Sequence, residues 1–107
     1  MMLRTVPQTF QKQVAHHIEK ADKGYLLNLS VPGYSKDRIK IRFEDDRMEV
    51  SAEKDDNALV FARPGFSKRF VIPVHVDTDQ VDAKYIDGVL QIEIPFRQNY
   101  RREVTIK

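Results

Sequence analysis

Between Pro73 and Pro95 the chain carries a run that leaves little freedom in how it folds. Asp87-Gly88 is a strong tight-turn pair, because a short connection between two strands needs positive φ and glycine supplies it at no steric cost. Leu90, Ile92 and Ile94 then alternate with Gln91 and Glu93, the period-two pattern of a strand with one buried face. Val81, Ala83 and Tyr85 form a short strand before the turn, and Val89 to Pro95 forms the strand after it.

The same alternation recurs along the chain. Leu27, Leu29 and Val31 share one face, with Asn28 and Ser30 on the other, and Pro32-Gly33 ends the strand. Ile39, Ile41 and Phe43 alternate with Lys40, Arg42 and Glu44. Asp45-Asp46-Arg47 is polar turn material, followed by Met48, Val50 and Ala52 against Glu49 and Ser51. Phe66, Phe70 and Ile72 make a further face, interrupted by Lys68, and Pro73 stops it because proline has no N–H for a ladder. Val14 to Ile18 reads as a short edge strand. Six to eight short strands, turn signals every eight to twelve residues and no sustained helical face predict an all-β sandwich or barrel.

The chain has 107 residues, enough for a single domain. The predicted division is an N-terminal arm over 1–21, the sandwich over 22–95 and a C-terminal extension over 96–107. In the arm Leu3, Val6, Phe10 and Val14 fall at helical spacings, but Pro7 disfavours a helix through the middle, so the segment reads as a short mobile arm with some apolar residues. The absence of cysteine excludes disulfides and thiolate chemistry and suits a reducing cytoplasm. No apolar run is long enough for a signal peptide or a membrane span. Residues 24–95 carry ten basic against thirteen acidic side chains, whereas 1–23 carry four against two and 96–107 four against one. An acidic middle with basic ends, and no basic stripe interleaved with aromatics, argues against nucleic acid as a partner.

Several blocks, in order, carry a family resemblance. They are Val31-Pro32-Gly33-Tyr34, Asp37 to Ile41, Met48 to Glu53, Phe66 to Pro73, and the signature Ala83-Lys84-Tyr85-Ile86-Asp87-Gly88-Val89-Leu90. Together with Val104-Thr105-Ile106 near the C-terminus they resemble the α-crystallin domain of small heat-shock proteins, with Ala83, Gly88, Val89 and Leu90 as the signature positions and Val104 and Ile106 as the C-terminal anchor. The resemblance implies an all-β, immunoglobulin-like sandwich of the α-crystallin type. It also implies an ATP-independent holdase that binds partly unfolded proteins, assembles with itself as a homodimer or larger oligomer, and needs no cofactor. The alternative is a non-chaperone adaptor or structural module on the same fold. It further implies a groove for anchor or client between Ile39, Ile41 and Phe43 on one edge strand and Val81, Ala83 and Tyr85 on another. The eight residues from Phe96 to Glu103 reach on the order of 25–30 Å when extended, enough to cross to a neighbouring subunit.

Two departures from the family pattern bear on dimerisation. Lys68 stands where the family usually has arginine, and lysine lacks the planar fork of bidentate carboxylate contacts. The connection from Glu53 to Phe66 is shorter than in members that exchange a strand there, and Ala58 to Ala62 is its only strand candidate. The expected dimer edge is therefore Phe66, Lys68, Arg69 and Phe70, with Phe61 as the residue of a reduced exchange. Nothing points to an enzyme or a metal site. His16 and His17 are adjacent and point to opposite faces of a strand, His75 has no triad around it, and the aspartate pairs at 45–46 and 55–56 read as turn chemistry.

Overall fold

The computed structural model describes residues 3–5, 14–53, 65–98 and 105–107. Eight strands run in the order β1 (Arg4–Thr5), β2 (His16–Lys20), β3 (Gly24–Ser30), β4 (Ile39–Glu44), β5 (Arg47–Ala52), β6 (Phe66–Val71), β7 (Asp82–Ile86) and β8 (Val89–Pro95). They form two antiparallel sheets. Sheet A has the order β1-β6-β5-β4 and sheet B the order β2-β3-β8-β7. The only helical pieces among the described residues are two short 3₁₀ turns, at Lys36–Arg38 and Thr78–Gln80. None is long and apolar enough to cross a membrane.

Register follows the alternation in the sequence. Leu27 pairs with Ile92, Leu29 with Leu90 and Tyr25 with Ile94, which places all six side chains on the inner face of sheet B. On sheet A, Met48 lies opposite Phe70 and Ala52 opposite Phe66. These two inner faces make the core, in which Leu27, Leu29, Met48, Val50, Phe70, Ile92 and Ile94 are wholly buried. Burying each such side chain stabilises the fold by roughly 1.5–3 kcal/mol. No charged or polar residue is buried among those described.

The β7–β8 turn is built as the dipeptide dictates, with Asp87 at φ 52° and Gly88 at φ 80°. Gly88 is constrained twice. A β-carbon there would also meet Pro32 Cα at 3.1 Å, and the Gly88 carbonyl accepts the Val31 N–H at 2.8 Å. The turn thus locks onto the end of β3. The β4–β5 turn puts Asp45 at φ 53°, which aspartate tolerates better than most residues.

At its N-terminal end the chain differs from the sequence-based expectation. Leu3 is buried in the core, and Arg4 and Thr5 pair with Val71 and Phe70 on β6. The start of the segment read as a mobile arm is therefore a strand of sheet A, and β2 places the expected 14–18 edge strand two residues further on. A short, two-residue strand has too little periodicity to be read locally. Beyond β8, Phe96 bridges to Val76, its N–H donates to the Lys23 carbonyl at 2.8 Å, and the Arg97 N–H donates to the His75 carbonyl at 2.8 Å. The first residues of the expected extension are therefore bonded to the sandwich, with the Phe96 ring packed against Tyr25 and His75.

Lys68 interrupts the apolar face of β6 for a structural reason. Its ammonium reaches across the flank of the sandwich and donates to the Val14 carbonyl, just before β2. Beside it His16 stands edge-on to Phe70, with ring centroids 5.6 Å apart. These contacts lay β2 over β6 and close this flank with polar groups. Partial burial lowers the Lys68 pKa. Burial, then the charge of Lys68 and then His17, hold the His16 pKa below its ordinary 6.5. Burial likewise lowers that of His75.

Two expectations follow. Ile92 and Ile86 belong to one hairpin, yet Ile92 is wholly buried and Ile86 is 61% exposed. Ile92→Ala should cost about 2–5 kcal/mol in denaturant unfolding, and Ile86→Ala no more than about 0.5 kcal/mol. Equal losses would refute the inner-face assignment. The second expectation concerns pH. The unfolded chain protonates His16 and His75 more readily than the folded one, so stability should hold above the ordinary histidine pKa of 6.5 and decline as pH falls through it toward the lower folded values. Thermal melts at stepped pH should show this decline, and the His16→Asn, His75→Asn double variant should flatten it.

Candidate functional site

With β2 seated over β6, the far terminal strands, β7 of sheet B and β4 of sheet A, fall on the opposite flank. Both are terminal strands, and each leaves a row of backbone N–H and C=O groups without a ladder partner among the described residues. On β4, Ile39 and Ile41 are half-buried and Phe43 is 37% exposed. On the other side Val81 and Tyr85 are half-buried and Ala83 is exposed. Register places Ile39, Ile41 and Phe43 opposite the core residues Ala52, Val50 and Met48, and Ala83 and Tyr85 opposite Ile92 and Leu90. These five side chains therefore lean inward at the two edges. Ile39, Ile41, Val81 and Tyr85 pack against the core cluster.

Each position has a local cause. Strand β4 starts after the Pro32-Gly33 turn and a 3₁₀ turn, which swing the chain from sheet B to sheet A and bring Ile39 to the flank. Tyr85 spans the flank of sheet B, and its hydroxyl donates to the Val31 carbonyl at 2.7 Å, which satisfies a buried strand end and fixes the ring. Gly88 holds the β7–β8 hairpin against Pro32 and so sets the height of the β7 wall. Of the other signature positions Val89 is 41% exposed on the outer face of sheet B, and Leu90 is buried in the core. What this site offers chemically is apolar surface flanked by unpaired backbone, which suits an added extended peptide. No group of three or more metal-ligating side chains lies together among the described residues.

The expected dimer edge is placed differently from the groove. Phe66 and Phe70 are core residues, 8% and 0% exposed, and Phe70 is paired with β1 through Thr5. Only the backbone from Phe66 to Arg69 is left without a strand on its outer side among the described residues. Lys68 is half-buried and committed to Val14, and Arg69 is exposed. Phe61, the rest of 58–62 and Val104 lie outside the described residues. Ile106 is described and is 94% exposed. Sequence reasoning missed the β1–β6 pairing and the Lys68 contact. The break that Lys68 makes in an apolar face was the one local signal of the latter.

Comparison with known proteins bears on this geometry. The sequence model of the Hsp20/alpha crystallin family matches residues 17–107. The chain is 30% identical over 101 residues to the 17.6 kDa class I heat shock protein 1 of Arabidopsis thaliana, covering 85% of this chain and 60% of that one. It is 31% identical over 109 residues to the 18 kDa heat shock protein of Streptomyces albus G, covering 92% of this chain and 76% of that one. Among solved structures, a small heat-shock protein from Xylella fastidiosa superposes with a TM-score of 0.72 at 22% identity, over 92% of this chain and 99% of that one, which shows the fold. The two-sheet sandwich, its open flank and these matches converge on one assignment: the chain belongs to the Hsp20/alpha crystallin family of small heat-shock proteins.

Proposed function

We propose that this protein is an ATP-independent holdase, which covers the apolar surface of partly unfolded proteins and slows their aggregation. One observation carries the reading. Two edge strands without a ladder partner among the described residues, β4 and β7, carry inward-leaning apolar side chains that are incompletely buried. An extended client segment gains backbone hydrogen bonds from the edges and apolar contact from Ile39, Ile41, Phe43, Val81 and Tyr85. Chaperone-type proteins of this family are its relatives, and no nucleotide chemistry enters the mechanism. The absence of cysteine supports action in a reducing cytoplasm.

The same slot accepts the C-terminal anchor, Val104 and Ile106, of a neighbouring copy. The exposure of Ile106 supports this, because the residue is not docked on its own sandwich. The chain thus acts as its own partner in a homodimer and in larger assemblies. For the dimer, the backbone edge at Phe66–Arg69 supports edge pairing, with exchange through 58–62 as the competing route.

Heating an aggregation-prone client with the purified protein, without nucleotide, should suppress light scattering at equal mass. No suppression at several-fold excess would favour the adaptor reading. Val104→Ala with Ile106→Ala removes two apolar side chains worth roughly 1.5–3 kcal/mol each if fully buried in a neighbour. The light-scattering mass should then fall toward the dimer while the thermal unfolding of the sandwich barely changes. An unchanged assembly would remove the anchor from the mechanism.

A further inference from the structure

The two outward faces of the sandwich carry opposite charge. Register and alternation turn Lys40, Arg42, Glu44, Arg47, Glu49 and Arg69 outward on sheet A, and β1 adds Arg4 beside Val71. On sheet B they turn Glu19, Asp82, Lys84 and Glu93 outward. Among the described strand residues sheet A thus presents five cations against two carboxylates, with Arg47 already paired to Asp46 at 2.9 Å, and sheet B three carboxylates against one lysine.

The pattern has a matching period as well as a matching sign. Across sheet A one transverse row reads Arg69, Glu49, Arg42 on β6, β5 and β4. Across sheet B one row reads Glu19, Leu26, Glu93, Asp82 on β2, β3, β8 and β7. Arg69 and Arg42 are two strands apart, and so are Glu19 and Glu93, which puts both pairs at a separation of roughly 9–10 Å. Arg42, Arg69, Glu19, Glu93 and Asp82 are all exposed, and Glu19 also lies 3.3 Å from His17 Nε2 on its own strand. At one end of the acidic face Val89 and Ile86 add exposed apolar area, 41% and 61% accessible.

We infer that the outer face of sheet A docks on the outer face of sheet B of a second copy, with Arg69 and Arg42 set against Glu19 and Glu93. Docking A on A, or B on B, would juxtapose like charges, so the contact is head-to-tail. A heterologous contact of this kind leaves a free complementary face at each end and propagates unless the rotation closes a ring. It differs from the apolar slot between β4 and β7 and does not depend on client binding, so the two can fail separately. Exposed ion pairs are individually weak, and the association is therefore driven by several acting together and is sensitive to salt.

The test is sedimentation velocity of the full chain at about 10 mM and about 1 M ionic strength, where the screening length falls from roughly 30 Å to roughly 3 Å. The wild type should form larger species at low salt that shrink at high salt. Arg42→Glu with Arg69→Glu, or Glu19→Arg with Glu93→Arg, should each weaken the low-salt association by about tenfold. The four-fold variant carrying both reversals restores complementarity and should restore association. Arg42→Gln with Arg69→Gln provides a milder removal of charge should a reversal perturb folding, which circular dichroism melts would reveal. Salt-independent mass, or single-face reversals without effect, or no rescue in the four-fold variant, would each overturn the proposal.

Discussion

Everything in this molecule depends on one dry layer, the contact between the inner faces of two four-stranded sheets. Leu27, Leu29, Ile92 and Ile94 on sheet B meet Met48, Val50 and Phe70 on sheet A, and all are wholly buried. An amphipathic sheet has a single apolar face, so each sheet needs the other to hide it. That requirement sets the register of every central strand, because a slip by one residue would turn the buried set outward. It also leaves the sandwich with edges, since a two-layer fold does not close on itself as a barrel does.

The two flanks treat those edges differently. On one, β2 lies over β6, Lys68 ties the layers together through the Val14 carbonyl and His16 covers the Phe70 ring. On the other, β4 and β7 have no further strand beside them among the described residues, and their apolar side chains lean inward but are not fully covered. Among the described residues one flank is thus closed by polar contacts, and the other keeps half-buried apolar side chains at its edges. Tyr85 holds the β7 edge in place, because its hydroxyl satisfies the Val31 carbonyl at the point where β3 leaves sheet B.

Much of this was legible in the residues. The Asp87-Gly88 turn, the β8 alternation and the inward sets of β3 and β5 are short-range patterns, and the structure reproduces them. The collinear blocks pointed to the family that the comparisons establish. The N-terminal strand was not legible. Arg4–Thr5 is two residues long and gains its place from pairing with Phe70 and Val71, more than sixty positions away. The role of Phe66 and Phe70 was similarly hidden. Their alternation marks a buried face, and only the packing of the two sheets shows that both side chains fill the core of this sandwich.

The sequence by itself determined which side chains point together along each strand, where the chain turns, and why Gly88 and Asp87 stand at the hairpin. Those properties arise from steric limits and a two-residue period that act over neighbouring positions. Tertiary structure alone decided which strands became edges, which carbonyl Lys68 would reach, and that Arg69, Glu49 and Arg42 would form one row while Glu19, Leu26 and Glu93 form another. Strand order and register join residues distant in the chain, and they follow from the global burial of two apolar faces, which no local window contains.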